Sequence, residues 1–72
     1  MKLNYDLHSD SLYIDLSDAV SVESREVCDG VVLDFDGDGN VVGIDIEHAS
    51  AKVQLERLDL NGWRGDVTRI AN

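Results

Sequence analysis

The 72-residue chain has no proline, a single cysteine, one tryptophan, one phenylalanine, and only six basic side chains against fifteen acidic ones. Each scarcity narrows the range of possible proteins. Cys28 stands alone, so no disulfide can close within the chain and the domain must hold itself together without a covalent staple. The few Lys and Arg are also badly placed for phosphates. Residues 1–47 hold two basic and twelve acidic side chains, a balance of −10, whereas residues 48–72 hold four and three, a balance of +1. Nucleic acids and anionic membranes are bound through clustered Lys and Arg, so neither is expected as a partner. No apolar run approaches the roughly 18 residues of a membrane span, and Met1–Asp6 shows no basic stretch leading into an apolar core, so a cytoplasmic protein is expected. A chain of this size buries only about 60% of its unfolded surface, which leaves no room for a deep, multi-walled active site. An enzyme acting alone is not expected.

What the chain does have is alternation. Leu3, Tyr5 and Leu7 alternate with polar residues, and after His8-Ser9-Asp10-Ser11 the pattern resumes at Leu12, Ile14 and Leu16. That is a strand, turn, strand signal, with Leu7 expected opposite Leu12, Tyr5 opposite Ile14 and Leu3 opposite Leu16. A second hairpin runs from Val31 to Phe35 and from Val41 to Ile46, with Asp38-Gly39 at its tip. Its pairing predicts Phe35 facing Val42, Leu33 facing Ile44 and Val31 facing Ile46. Between the two hairpins, Val20 to Cys28 reads as a strand whose alternation breaks, which predicts a bulge near Ser24-Arg25-Glu26.

After Ile46 the period lengthens. Ser50 is expected to cap a helix over residues 48–61 in which Ala51, Leu55 and Leu58 share a stripe, with Asn61-Gly62 as the stop. Residues 62–72, with Trp63, Val67 and Ile70, read as a tail or a short strand. The expectation is one α+β domain over 1–72, an antiparallel β-meander of about five strands with one C-terminal helix packed on one face.

Tyr5-Asp6, Asp10-Ser11-Leu12-Tyr13-Ile14, Gly30-Val31-Val32-Leu33-Asp34-Phe35-Asp36, Gly39, Val42-Gly43-Ile44-Asp45-Ile46 and Ala49-Ser50 together resemble a small prokaryotic family catalogued as domain of unknown function 2283. The likeness spans roughly residues 1 to 52 and leaves the stretch from Val53 onward unmatched. It implies a β-meander with a helix and brings no established activity. Some members are encoded beside small toxin-like proteins, so the resemblance also implies an antitoxin-like or inhibitory role toward a basic partner.

Several residue groups invite a chemical reading. Asp34-Phe35-Asp36-Gly37-Asp38-Gly39-Asn40 has the D-x-D-x-D-G opening of a calcium loop. Such loops lie between helices, and here strand-type alternation flanks both sides, so an acidic hairpin is favoured over cation binding at the Asp34–Asn40 turn. His8, Ser9, Asp10 and Ser11 are the residue types of a hydrolytic triad, but neighbours in a tight turn do not line up nucleophile, base and orienter, and turn chemistry is the better reading. His48 has no second histidine at ligand spacing, and nothing in the sequence activates Cys28. No catalytic residue, cofactor or metal ligand is assigned.

The surface singled out is the acidic outer face of the second hairpin: Val32, Asp34, Asp36, Val41, Asp45 and Glu47, an apolar centre with a charged rim suited to a protein partner. The expected function is that of a small, acidic, non-enzymatic protein working through protein contacts, with self-association among them.

Overall fold

The structure, a computed structural model, describes residues 1–68; Ile70, grouped above with Trp63 and Val67, lies outside them. Five strands form one antiparallel sheet: β1 (Lys2–Asp6), β2 (Ser11–Asp15), β3 (Glu23–Cys28), β4 (Val31–Phe35) and β5 (Val41–Glu47), followed by one short helix, α1 (Ala49–Lys52). The α+β class, the strand number and the position of the helix after the strands follow the reading of the sequence.

Strand order is β1-β2-β5-β4-β3. A hairpin (β1–β2) and a three-stranded meander (β3–β4–β5) are thus joined along β2 and β5, and β3 becomes an outer edge. The connection from Leu16 to Val22 runs from β2 to that far edge, anchored by Leu16 N–H donating to Val42 C=O at 2.9 Å and Val22 N–H to Phe35 C=O at 2.8 Å.

Register explains the faces. In the first hairpin Leu3 pairs with Ile14 and Tyr5 with Leu12, two residues away from the expected alignment. A slip of two keeps every side chain on its face. Its effect is to move Leu7 out of the ladder into a four-residue turn, where it is 78% exposed. In the second hairpin Val31 pairs with Ile46 and Leu33 with Ile44 as expected, but a bulge after Asp34 sets Phe35 opposite Val41 instead of Val42. Val42, the extra residue, is among the most buried in the chain. The β3 irregularity lies between Glu26 and Cys28, just past the Ser24–Glu26 stretch predicted for it, so Val27 has no partner on β4. Val20 and Val22 fall in the connection before β3 and are exposed.

The helix is the largest departure from expectation. It spans Ala49–Lys52 and not 48–61, because Val53 turns extended (φ −128°, ψ 142°). A stripe of Ala51, Leu55 and Leu58 needs two or more turns packed on a core before it outweighs the cost of nucleating a helix. Leu58 instead stands 64% exposed, and residues 53–68 form neither helix nor strand. Ser50 is not the N-cap either. His48 holds that position in the left-handed region (φ 52°) with no side-chain cap of its own, and the capping oxygens come from Asp10, across the sheet end.

With so little helix, the sheet's second layer is thin: beyond α1 it is limited to the β1 edge, where Leu58, Leu60, Trp63 and Val67 line a cavity with Leu3 and Tyr5. Leu12, Phe35, Val42 and Ala49 are the buried apolar residues among those described.

Candidate functional site

Pairing across all five strands sorts the side chains into transverse rows. Leu3, Ile14, Ile44, Leu33 and Arg25 form one row, and Tyr5, Leu12, Ile46, Val31 and Cys28 the next. Both rows lie on one face, and neither contains a carboxylate. Arg25 carries the single charge in these rows and lies over the Phe35 ring, 4.2 Å from its centroid. Alternate positions build the other face. There the rows contain Asp6, Asp15, Glu26, Asp34, Asp45 and Glu47 against Lys2 alone. The sheet is therefore two-sided in charge: one face is apolar apart from Arg25 and Glu23, which pairs with Phe35 on the β3 edge, and the other is acidic.

On the acidic face the residues predicted as an interaction surface divide into two kinds. Asp34 is committed to the fold: its carboxylate accepts the Tyr13 hydroxyl at 2.7 Å from β2 and the Ser24 hydroxyl at 2.6 Å from β3. These bonds lower its pKa, Ser24 contributing most and Tyr13 next, while the Tyr13 phenol is pushed up to about 12, chiefly by its bond to Asp34. Tyr13 reaches Asp34 by lying across Gly43 of β5, where a Cβ would sit 2.6 Å from Tyr13 Cζ and closer still to its hydroxyl. Glycine inside a strand marks such a close approach.

Asp36 is likewise committed. It accepts the backbone N–H groups of Asp38 and Asn40, each at 2.9 Å, and the Asn40 amide at 3.2 Å, and these bonds depress its pKa, the Asn40 backbone N–H first. The carboxylates of Asp34 and Asp36 thus point to different partners rather than to a common cation, and no group of three metal-ligating side chains comes together among the described residues. Val41, paired with Phe35 through the bulge, leaves the alternation that was to set it among the aspartates. Val32 and Asp45 remain neighbours across β4 and β5, with Glu47 two residues on. Of the six predicted residues, Val32, Asp34, Asp45 and Glu47 lie together on this face, Asp34 with its carboxylate already occupied.

At the end of the sheet where the β1–β2 and β3–β4 turns lie, α1 is held from two sides. Asp10, itself in the left-handed region (φ 53°), accepts the Tyr5 hydroxyl at 2.7 Å, the Ser50 N–H at 3.0 Å and the Ser50 hydroxyl at 2.6 Å, and its backbone C=O takes the Ala49 N–H at 2.8 Å. These bonds lower the Asp10 pKa, Ser50 first and Tyr5 second, and raise that of Tyr5. On the other side Lys52 Nζ donates to Asp29 C=O at 3.0 Å and Glu47 C=O at 2.7 Å, filling the space over Gly30. His8 and Ser9 stay in the turn, with His8 N–H donating to Asp6 at 3.0 Å, and do not converge with Asp10. Cys28 is a free, exposed thiol on the β3 edge. The sequence reading missed Tyr13, Gly43 and Ser24 as a unit. A glycine within an apolar strand, directly across from an aspartate, is the signal that points to them.

The pKa directions set how stability depends on pH. Asp10, Asp34 and Asp36 hold their protons less tightly in the native state than in the unfolded chain. Their contribution is complete above the ordinary carboxylate range and is lost as pH falls through their native pKa values. Tyr5 and Tyr13 hold theirs more tightly, so their contribution is intact below the unfolded phenol value of 10.0 and fades as pH rises toward about 12. Urea midpoints are expected to plateau between about pH 5 and pH 9 and to fall on both sides. Tyr13→Phe should flatten most of the alkaline fall, and an unchanged alkaline limb in that variant would refute the assignment.

A small antiparallel sheet with one short helix, two-sided in charge and latched at one end, is an α+β domain. The chain belongs to the family described as protein of unknown function (DUF2283), whose model matches residues 2–50. It is also similar to an uncharacterized protein of Methanocaldococcus jannaschii, 35% identical over 60 residues, or 83% of this chain and 51% of the relative. The chain spans about half the length of that curated relative. No solved structure matches. The family match ends at Ser50, so it includes both Asp10 and its helix partner and excludes residues 53–68. Among the described residues no helix is long and apolar enough to cross a membrane.

Proposed function

We propose that this chain is a non-enzymatic protein-binding domain that docks through the apolar face of its sheet. The observation that carries this reading is the pair of rows from Leu3 to Arg25 and from Tyr5 to Cys28, free of carboxylates in a chain of net charge −9 and without a helix long enough to cover them. Leu3 and Tyr5 are 45% and 42% exposed. An apolar surface shared by several strands and rimmed by charge is typical of a docking face. A cytoplasmic setting suits the free thiol of Cys28.

A second reading, an antitoxin-like or inhibitory protein for a basic partner, draws on the opposite face, where six carboxylates oppose one lysine. It is weaker because Asp34 is committed to Tyr13 and Ser24. Cation binding at the Asp34–Asn40 turn is weaker still, since Asp36 closes the turn itself.

The docking reading is tested with an apolar-surface dye on protein at high dilution, where any complex has dissociated. Fluorescence enhancement that Ile44→Lys suppresses is expected. No enhancement at any dilution would overturn the reading.

A further inference from the structure

We infer that the occupant of the apolar face is a second copy of this chain, stacked face to face so that two sheets enclose a shared core. The inference rests on the docking reading above and adds the partner. Area supports it first. The chain exposes 5976 Å², whereas a folded monomer of 7.9 kDa is expected to expose roughly 4,400 Å². The excess of roughly 1,500 Å² is shared between this face, where Leu3 and Tyr5 stand exposed, and the irregular segment 53–68, and the roughly 800 Å² that each partner contributes to a standard interface fits within it.

Charge decides which face a self-complex can use. Two chains of net charge −9 repel, so a self-complex requires their carboxylates to lie apart. Sheets stacked about 10 Å apart through their apolar rows put the two acidic faces on opposite outer surfaces, roughly 20 Å from each other. That exceeds the Debye length of about 8 Å at physiological salt, so the repulsion between them is largely screened. Joining the acidic faces instead would set six carboxylates of one copy within that length of six from the other. The apolar face brings only Arg25 and Glu23, which lie together at the β3 end 3.7 Å apart, with Arg25 over the Phe35 ring, so their charges offset each other. A foreign partner would need its own apolar surface of matching twist, whereas a second copy brings one by construction: the Leu3–Ile14–Ile44–Leu33 row is complementary to itself under a two-fold axis.

Sedimentation equilibrium on the wild-type chain from roughly 1 µM to roughly 1 mM tests this directly. The expected mass rises to twice 7.9 kDa. Ile44→Lys, on the apolar row, should weaken the dimer by roughly 100-fold or more, while Asp45→Lys, the next residue and on the other face, should leave it intact or tighten it. Should Ile44→Lys fail to fold, Leu3→Lys at the already exposed β1 edge replaces it, with the same expectation. A wild-type chain that stays monomeric over the whole range overturns the inference, as does a dimer broken by Asp45→Lys and untouched by either apolar-row variant. The dye experiment separates the two levels: a monomer that takes up dye removes only the second copy, whereas a monomer that takes up none removes the docking reading as well.

Discussion

Gly43→Ala is expected to destabilise the domain by about 2 kcal/mol, which in a chain this short corresponds to roughly 10 °C in melting temperature. Alanine in a strand ordinarily improves on glycine by about 0.5–1 kcal/mol, because it has less backbone freedom to lose. Here the sign reverses, since the new methyl would occupy the space where the Tyr13 ring crosses β5. The ring must then swing out, and the bond from Tyr13 to Asp34 is broken with it. Coupling between the two positions is the diagnostic. In a Tyr13→Ala background the space is empty, and Gly43→Ala should become neutral or mildly stabilising, within about 0.5 kcal/mol of its parent. Thermal melts of the four proteins decide it. Equal losses from Gly43→Ala in both backgrounds would mean that the ring does not cross Gly43 in solution.

Asp10→Ala is expected to release the helix from the first hairpin. Four groups meet at this residue: the Tyr5 hydroxyl, the Ser50 N–H and hydroxyl, and, on its backbone, the Ala49 N–H. Alanine removes the side-chain acceptor from the first three and also strains a backbone held at φ 53°. Because α1 is four residues long and its N-cap residue His48 offers no side-chain cap, no other described residue replaces what Asp10 supplies. Asp10→Asn keeps a short side chain that tolerates the left-handed backbone and retains one oxygen, so it should fall between wild type and alanine. Amide hydrogen exchange reads the outcome: faster exchange at Ala49 and Ser50, largest in the alanine variant, with the strand amides of β4 and β5 less affected. Protection at Ser50 equal to wild type in Asp10→Ala would show that the latch holds nothing.

These two residues mark where the sequence could be read and where it could not. Alternation gave away the strands and both faces, because a period of two survives even a misjudged turn. Alternation predicts the first hairpin two residues out of register, and every side chain still lies on its expected face. Bulges were harder. The break in alternation across β3 was visible in Val20, Val22 and Val27, but the bulge at Phe35–Val41 left no trace, since Val41 and Val42 are chemically alike. The helix is shorter than its spacing predicts for a different reason. Ala51, Leu55 and Leu58 have helical spacing, and spacing alone does not reveal that one turn is held by Asp10 and Lys52 while the rest has no core to pack on. The acidic face was legible as composition, but its division into structural and free carboxylates was not. That depends on which hydroxyl lies across the sheet from which aspartate, and Tyr13 is 21 residues from Asp34.

The strand order carries a consequence for how the chain reaches this form. The hairpin β1–β2 and the meander β3–β4–β5 each close through neighbours in sequence, and each can form locally. Their only shared ladder, β2 with β5, aligns Ser11 with Glu47 and Asp15 with Gly43, so it closes a long loop whose entropy must be lost before the seam returns anything. The Tyr13–Asp34 and Asp10–Ser50 bonds both straddle that seam. They are therefore sutures between two halves of the chain, and neither can close until the halves have met.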